Sequence, residues 1–218
     1  RDVIKGRYGE AVDILNTIFE RDWLPGTTIP VTMRMQRLIA ELIGMIVAGA
    51  APEDYATDIR TFIKYMLMTK VTRQFPDVIL HLPFYQRAKA RVFEFAYKLL
   101  ADYEKRPPST DPDRLDFIGE ILKAHREHPD LVPESDIPQL VLSPYVAGLD
   151  TVANTLGSAL YALMKNPDIL ARARAEVEAI GELDEAALRN MPVIQGIMLE
   201  TLRLYPINVA AMRTADRD

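Results

Sequence analysis

Residues 137–164, IPQLVLSPYVAGLDTVANTLGSALYALM, are apolar almost throughout, and Asp150 is the only charged side chain among them. Read as a single helix from near Asp136 to Lys165, the segment would run roughly 45 Å at 1.5 Å per residue, far beyond the usual three turns. A rod that long and that apolar on all sides has to lie in the middle of a protein core or in a lipid bilayer. An acid at its centre costs about 2.5 to 3.5 kcal/mol on membrane-insertion scales, and Gln139, Ser143, Asn154 and Ser158 add to that cost. The buried central helix of a soluble protein is therefore expected, with no membrane span.

Outward from this rod, nearly every patterned stretch repeats apolar residues at i, i+3, i+4 and i+7, which predicts an all-α chain. Val12, Leu15, Ile18 and Phe19 mark a first helix, ended by the turn Trp23-Leu24-Pro25-Gly26. Thr32 is placed to cap a second, whose stripe Leu38, Ile39, Leu42, Ile43, Ile46 and Val47 stops at Gly49. Pro52 opens a third that buries Tyr55, Ile59, Phe62, Ile63 and Met66. Between Phe75 and Phe84 the chain is greasy but broken by Pro76 and Pro83, so it reads as a connection. An amphipathic helix follows from Tyr85 to Tyr103, then a proline-rich surface loop from Arg106 to Pro112 and a short helix around Leu115 to Ala124. No repeat or low-complexity tract divides the sequence, and one domain over residues 1–218 is expected.

Composition removes several function classes. Among 218 residues, 49% are hydrophobic and 26% charged, enough apolar material for a sizeable core. A formal net charge of −5, with no concentrated stretch of Lys and Arg, gives no face suited to phosphate backbones, so nucleic acid is not expected as a partner. There is no cysteine; disulfides, thiolate nucleophiles and thiolate metal ligands are all absent from these residues. His125 and His128 lack the His-Glu-x-x-His spacing of a zinc helix and read as a solvated helix end. His81 reads as a loop histidine. No metal ligands are predicted among these residues. The chain opens on Arg1 and closes on Arg217-Asp218 without a finishing element, so both ends look like interruptions; no secretion leader is recognisable, and a cytoplasmic location is the default expectation.

The chemistry sits in the rod. Ala147-Gly148-Leu149-Asp150-Thr151 brings a position without a side chain, an acid and an alcohol into about one turn. Gly148 would let a large flat group approach the backbone. The Thr151 hydroxyl can bond the carbonyl four residues back, loosening the helix ladder and making room for water. Asp150 adds a titratable group, so that water, alcohol and acid could pass protons. The same residues also admit a plainer reading, in which the glycine permits close helix packing, the threonine satisfies itself on the backbone and Pro144 introduces a kink.

A second pattern follows a helix opened by Asn166-Pro167. Pro192 to Leu204 reads as a helix closed by Pro206, in which Glu200 and Arg203 stand three residues apart on one face. Their apolar neighbours Ile197, Met198, Leu199, Leu202 and Leu204 predict partial burial of the pair, which would need further hydrogen-bond partners to offset desolvation.

In order and spacing, the 147–151 motif in a long apolar helix, the Asn166-Pro167 helix start and Glu200-Thr201-Leu202-Arg203-Leu204-Tyr205-Pro206 together resemble the cytochrome P-450 family of haem-thiolate monooxygenases. The resemblance spans nearly the whole chain, with Phe75 to Phe84 in the position of the mobile cover over a substrate pocket. It implies a helical core fragment of that fold, beginning after the third helix and ending before the segment that carries the haem-ligand cysteine. It further implies that Ala147 and Gly148 line the distal side of a haem, that Asp150 and Thr151 form the catalytic acid and alcohol pair, and that Arg213 pairs with a haem propionate. Glu200 and Arg203 would be structural, completed by a further arginine beyond residue 218. A ferredoxin, flavodoxin or reductase would supply electrons drawn from NAD(P)H, and the substrate would be an apolar small molecule.

Two departures qualify the resemblance. Val152 stands where many members carry a second hydroxyl. The thiolate that tunes the iron has no counterpart in these residues, so they alone would neither hold haem normally nor turn over. A non-catalytic helical scaffold, in which Gly148 and Thr151 serve packing only, is the competing expectation.

Overall fold

The structure, a computed structural model, describes residues 8–105, 117–181 and 184–207. Among them every regular element is helical, as the periodicity predicts. The chain divides into two compact units, residues 1–150 and 151–218.

In the first unit, α1 (Tyr8–Asp22) leads through a turn at Gly26 into α2 (Val31–Ile43). Thr32 lies inside α2 and does not cap it; Pro30 occupies the cap position, its fixed φ and missing N–H suiting the place where a helix donor would be orphaned anyway. A wide turn, Gly44–Ala48, prolongs α2 until Gly49 takes the left-handed φ of 71° that stops it. Then come α3 (Ala56–Met66), a 3-10 turn (Asp77–His81) in the greasy connection, α4 (Pro83–Glu104), α5 (Phe117–Glu127) and α6 (Ile137–Gly148).

The core of this unit lies where α3, α4, α5 and α6 meet, around Ile59, Ile63, Val92, Phe95, Leu99, Ile118, Val141 and Tyr145. Tyr145 is fully buried, edge-on to Phe95 at 5.3 Å between centroids, and its hydroxyl donates to the Ala50 carbonyl at 2.8 Å. The polar tip is thus satisfied while the ring fills the core. His125, expected at a solvated helix end, is half-buried with Nδ1 2.7 Å from the Val132 carbonyl.

The second unit holds α7 (Thr151–Lys165), α8 (Pro167–Ile180), the single turn α9 (Glu185–Arg189) and α10 (Pro192–Leu204), with α7, α8 and α10 in mutual contact. α8 opens at Pro167 and α10 closes before Pro206, both as the punctuation predicts.

The expected unbroken rod is interrupted. α6 ends at Gly148 and α7 starts at Thr151, although Leu149 keeps helical angles (φ −61°, ψ −47°) and its N–H still bonds the Tyr145 carbonyl at 3.1 Å. Gly148, about 1 kcal/mol worse than alanine in a helix interior, stands at the break, whereas α6 runs through Pro144 without interruption. Among the described residues, no helix is long and apolar enough to cross a membrane.

Candidate functional site

Asp150 is anchored within the first unit. Gln36 Nε2 donates to its Oδ1 at 2.8 Å across 114 residues of sequence. Gln36 is only 9% exposed and sits on the buried side of α2, beside Met35, Leu38, Ile39 and Ala40. On its open side, Gln36 and Leu149 line a polar groove of about 660 Å³ together with Arg37, Asp54 and Arg60.

α2 is in turn tied to α1. Arg21 bridges Asp22 at 2.7 Å and Glu41 at 3.0 Å, and Arg37 Nε donates to Glu41 at 2.7 Å. The hydrogen bond from Arg21 holds the Asp22 carboxyl below its ordinary range, and Asp22 and Glu41 raise the guanidinium in return. This network ties a flank of α2 to the end of α1.

Gly148 is buried, and a Cβ built on it would collide with Cδ1 of Ile43. The space released by the absent side chain is therefore filled by the end of Ile43. This corrects the expectation that Gly148 leaves a slot for a flat group: α2 packs against α6 there, and the close approach is helix to helix. Ala147, one residue earlier, is exposed and carries only a methyl group.

In the second unit, Thr151 is exposed at the first turn of α7, where its carbonyl accepts from Thr155 Oγ1 at 2.9 Å.

Glu200 and Arg203 meet as a bidentate pair, with Nε to Oε2 at 2.8 Å and Nη2 to Oε1 at 2.6 Å. The guanidinium holds the Glu200 carboxyl below its usual range, and the carboxylate raises Arg203. Partial burial does not follow: the Glu200 side chain is 55% exposed and that of Arg203 67%. The inward residue of α10 is Thr201, at 2%, while Leu199, Leu202 and Leu204 are themselves exposed. Apolar neighbours in sequence lie around the helix from the pair and do not cover it. Arg213 lies outside the described residues.

Sequence reading missed three residues that organise these positions: Gln36, Ile43 and Glu176. The Glu176 carboxylate of α8 accepts from the Val193 and Ile194 N–H groups, each at 2.8 Å, and so caps α10. A glutamine within an apolar helical stripe was the one visible signal. Glu176 and Ile43 look ordinary in the one-dimensional pattern.

The family profile described as Cytochrome P450 matches residues 8–218. The chain belongs to the cytochrome P450 family. Cytochrome P450 76C1 of Arabidopsis thaliana is 31% identical over 134 residues, covering 59% of this chain and 26% of that protein. The 3,9-dihydroxypterocarpan 6A-monooxygenase of Glycine max is 32% identical over 108 residues, 47% of this chain and 21% of that one. Among solved structures, the retinoic acid bound cyanobacterial CYP120A1 superposes with a TM-score of 0.74 at 22% identity, over 94% of this chain and 45% of that chain. The alignments thus span a fifth to a quarter of these curated relatives, and just under half of that solved P450.

Haem is the cofactor of the cytochrome P450 family, and the exposed methyl of Ala147 is small enough to lie beside a flat macrocycle. The thiolate that holds the iron has no donor among these residues, which contain no cysteine.

Proposed function

We propose that the full-length protein is a haem monooxygenase that inserts one atom of O2 into an apolar organic substrate. The balance is R–H + O2 + 2 e⁻ + 2 H⁺ → R–OH + H2O, with the electrons drawn from NAD(P)H through a ferredoxin, flavodoxin or reductase. The observation that carries the reading is the acid and alcohol pair, Asp150-Thr151, separated from Ala147-Gly148 by Leu149 alone, within a chain matched as cytochrome P450 over residues 8–218.

When bound, haem supplies the activation of O2, a reaction beyond the reach of amino-acid side chains alone. The chain's own residues take supporting roles. Ala147, exposed and carrying only a methyl group, presents a low surface to the distal face. Asp150 holds an exchangeable proton at its carboxylate, and Thr151 Oγ1 passes protons between that acid and the distal space, a form of general acid catalysis. Arg213 pairs with a propionate through its planar fork of donors. Glu200 and Arg203 are structural, held in a bidentate pair. Residues 1–218 alone, lacking a thiolate, are inactive.

The test is to express the full-length protein, reduce it under carbon monoxide and record the Soret band. A strong red shift is expected from thiolate ligation; an unshifted band in a folded, haem-loaded protein would overturn the proposal.

A further inference from the structure

Gln36 is out of character with its surroundings. It is 9% exposed among apolar neighbours on α2 that are 2% to 6% exposed, and burial of a primary amide is unfavourable unless its polar atoms are bonded. The partner it has is the Asp150 carboxylate, 2.8 Å away. Among the described residues the other oxygen, Oδ2, receives no hydrogen bond.

The chemistry of the donor matters. Arg37 and Arg60 line the same groove as Gln36, so cationic donors stand nearby, yet the group that reaches Asp150 is a neutral amide. A guanidinium would clamp both oxygens and favour the ionised acid strongly. A single amide N–H fixes the plane of the carboxylate through one oxygen and leaves the second available to take and release a proton.

We infer that Gln36 is a positioning residue for Asp150, holding the carboxylate in one orientation through Oδ1 so that Oδ2 serves as the proton-exchanging atom. This rests on the reading of Asp150 as the proton-handling acid. Gln36 acts through Asp150 alone and touches neither substrate nor cofactor.

The experiment uses the full-length holoenzyme, with lauric acid as an apolar probe, a surrogate ferredoxin and reductase as electron donor, and rates normalised to haem content. Gln36→Met keeps the side-chain length and removes the donor. It is expected to slow oxygen consumption by about tenfold and raise its solvent isotope effect, against about a hundredfold loss for Asp150→Asn, within the range of general acid catalysis. In the Asp150→Asn background, Gln36→Met should change the rate by less than about twofold, because the carboxylate it orients is gone.

A readout independent of turnover is the infrared carboxylate stretch of Asp150 in the resting protein, assigned by its loss in Asp150→Asn. That band should shift in Gln36→Met. If Gln36→Met yields no haem protein, Gln36→Asn, which withdraws the amide by one methylene, carries the same expectations. An impaired Asp150→Asn beside an unaltered rate and an unmoved band in the Gln36 variant would overturn this inference alone. An Asp150→Asn enzyme as active as the parent would instead overturn the reading of Asp150 on which it rests.

Discussion

Ile43 occupies the space that a side chain at Gly148 would need. α2 and α6 therefore approach each other with a terminal methyl seated against a bare Cα. Only Cδ1 lies too near; Cγ1 stands 3.6 Å from the site of the absent Cβ, an ordinary contact distance.

In the full-length protein, Gly148→Ala is accordingly mild. Swinging one methyl off its rotamer costs about 0.5 to 1.5 kcal/mol, and alanine returns about 1 kcal/mol of helix propensity. Gly148→Leu has no such escape and should lose about 1 to 3 kcal/mol by overpacking. Urea unfolding of Gly148→Leu with and without Ile43→Ala measures the coupling. Strict additivity of the two changes would mean that the contact does not exist.

Thr151→Ala removes the hydroxyl and leaves the fold, since the side chain is exposed at the first turn of α7. More hydrogen peroxide per NAD(P)H consumed is expected, with product falling in proportion. Unchanged coupling would take Thr151 out of the proton path.

Glu176 tests the docking of α8 on α10. Its two oxygens satisfy donors that a helix start otherwise leaves unpaired, so Glu176→Ala should cost about 1 to 2 kcal/mol. Glu176→Gln keeps one acceptor and should fall between. Amide exchange at Val193 and Ile194 should accelerate in both variants, and unaltered exchange would show that the cap is not formed in solution.

The Glu200–Arg203 pair carries a pH signature. The guanidinium depresses the Glu200 carboxyl, so its share of stability is present above the unfolded-state pKa and is lost as pH falls through the lower folded value. Glu200→Gln should therefore be less stable than the parent at neutral pH, and the two unfolding curves should converge in acid. A difference that persists at low pH would place its origin elsewhere than in the charge.

Much of the architecture is legible in one dimension because helix period and punctuation are local properties. Pro167, Pro192 and Pro206 bracket α8 and α10 without reference to anything distant. The 147–151 motif is equally local, since its glycine, acid and alcohol fall within about one turn by spacing alone. The burial expected for Glu200 and Arg203 fails for the opposite reason: which side of α10 faces inward depends on where α7 and α8 lie, and Thr201 takes that place.

The sequence by itself determined an all-helical chain, because helical period is a local property, and the order and spacing of its motifs pointed to the cytochrome P450 family. Only the tertiary structure decided that Ile43 fills the gap at Gly148, that Gln36 grips Asp150 and that Glu176 caps α10. Each of these joins residues between 17 and 114 positions apart, and a side chain's partner across such a distance is set by how helices pack, which no local pattern encodes.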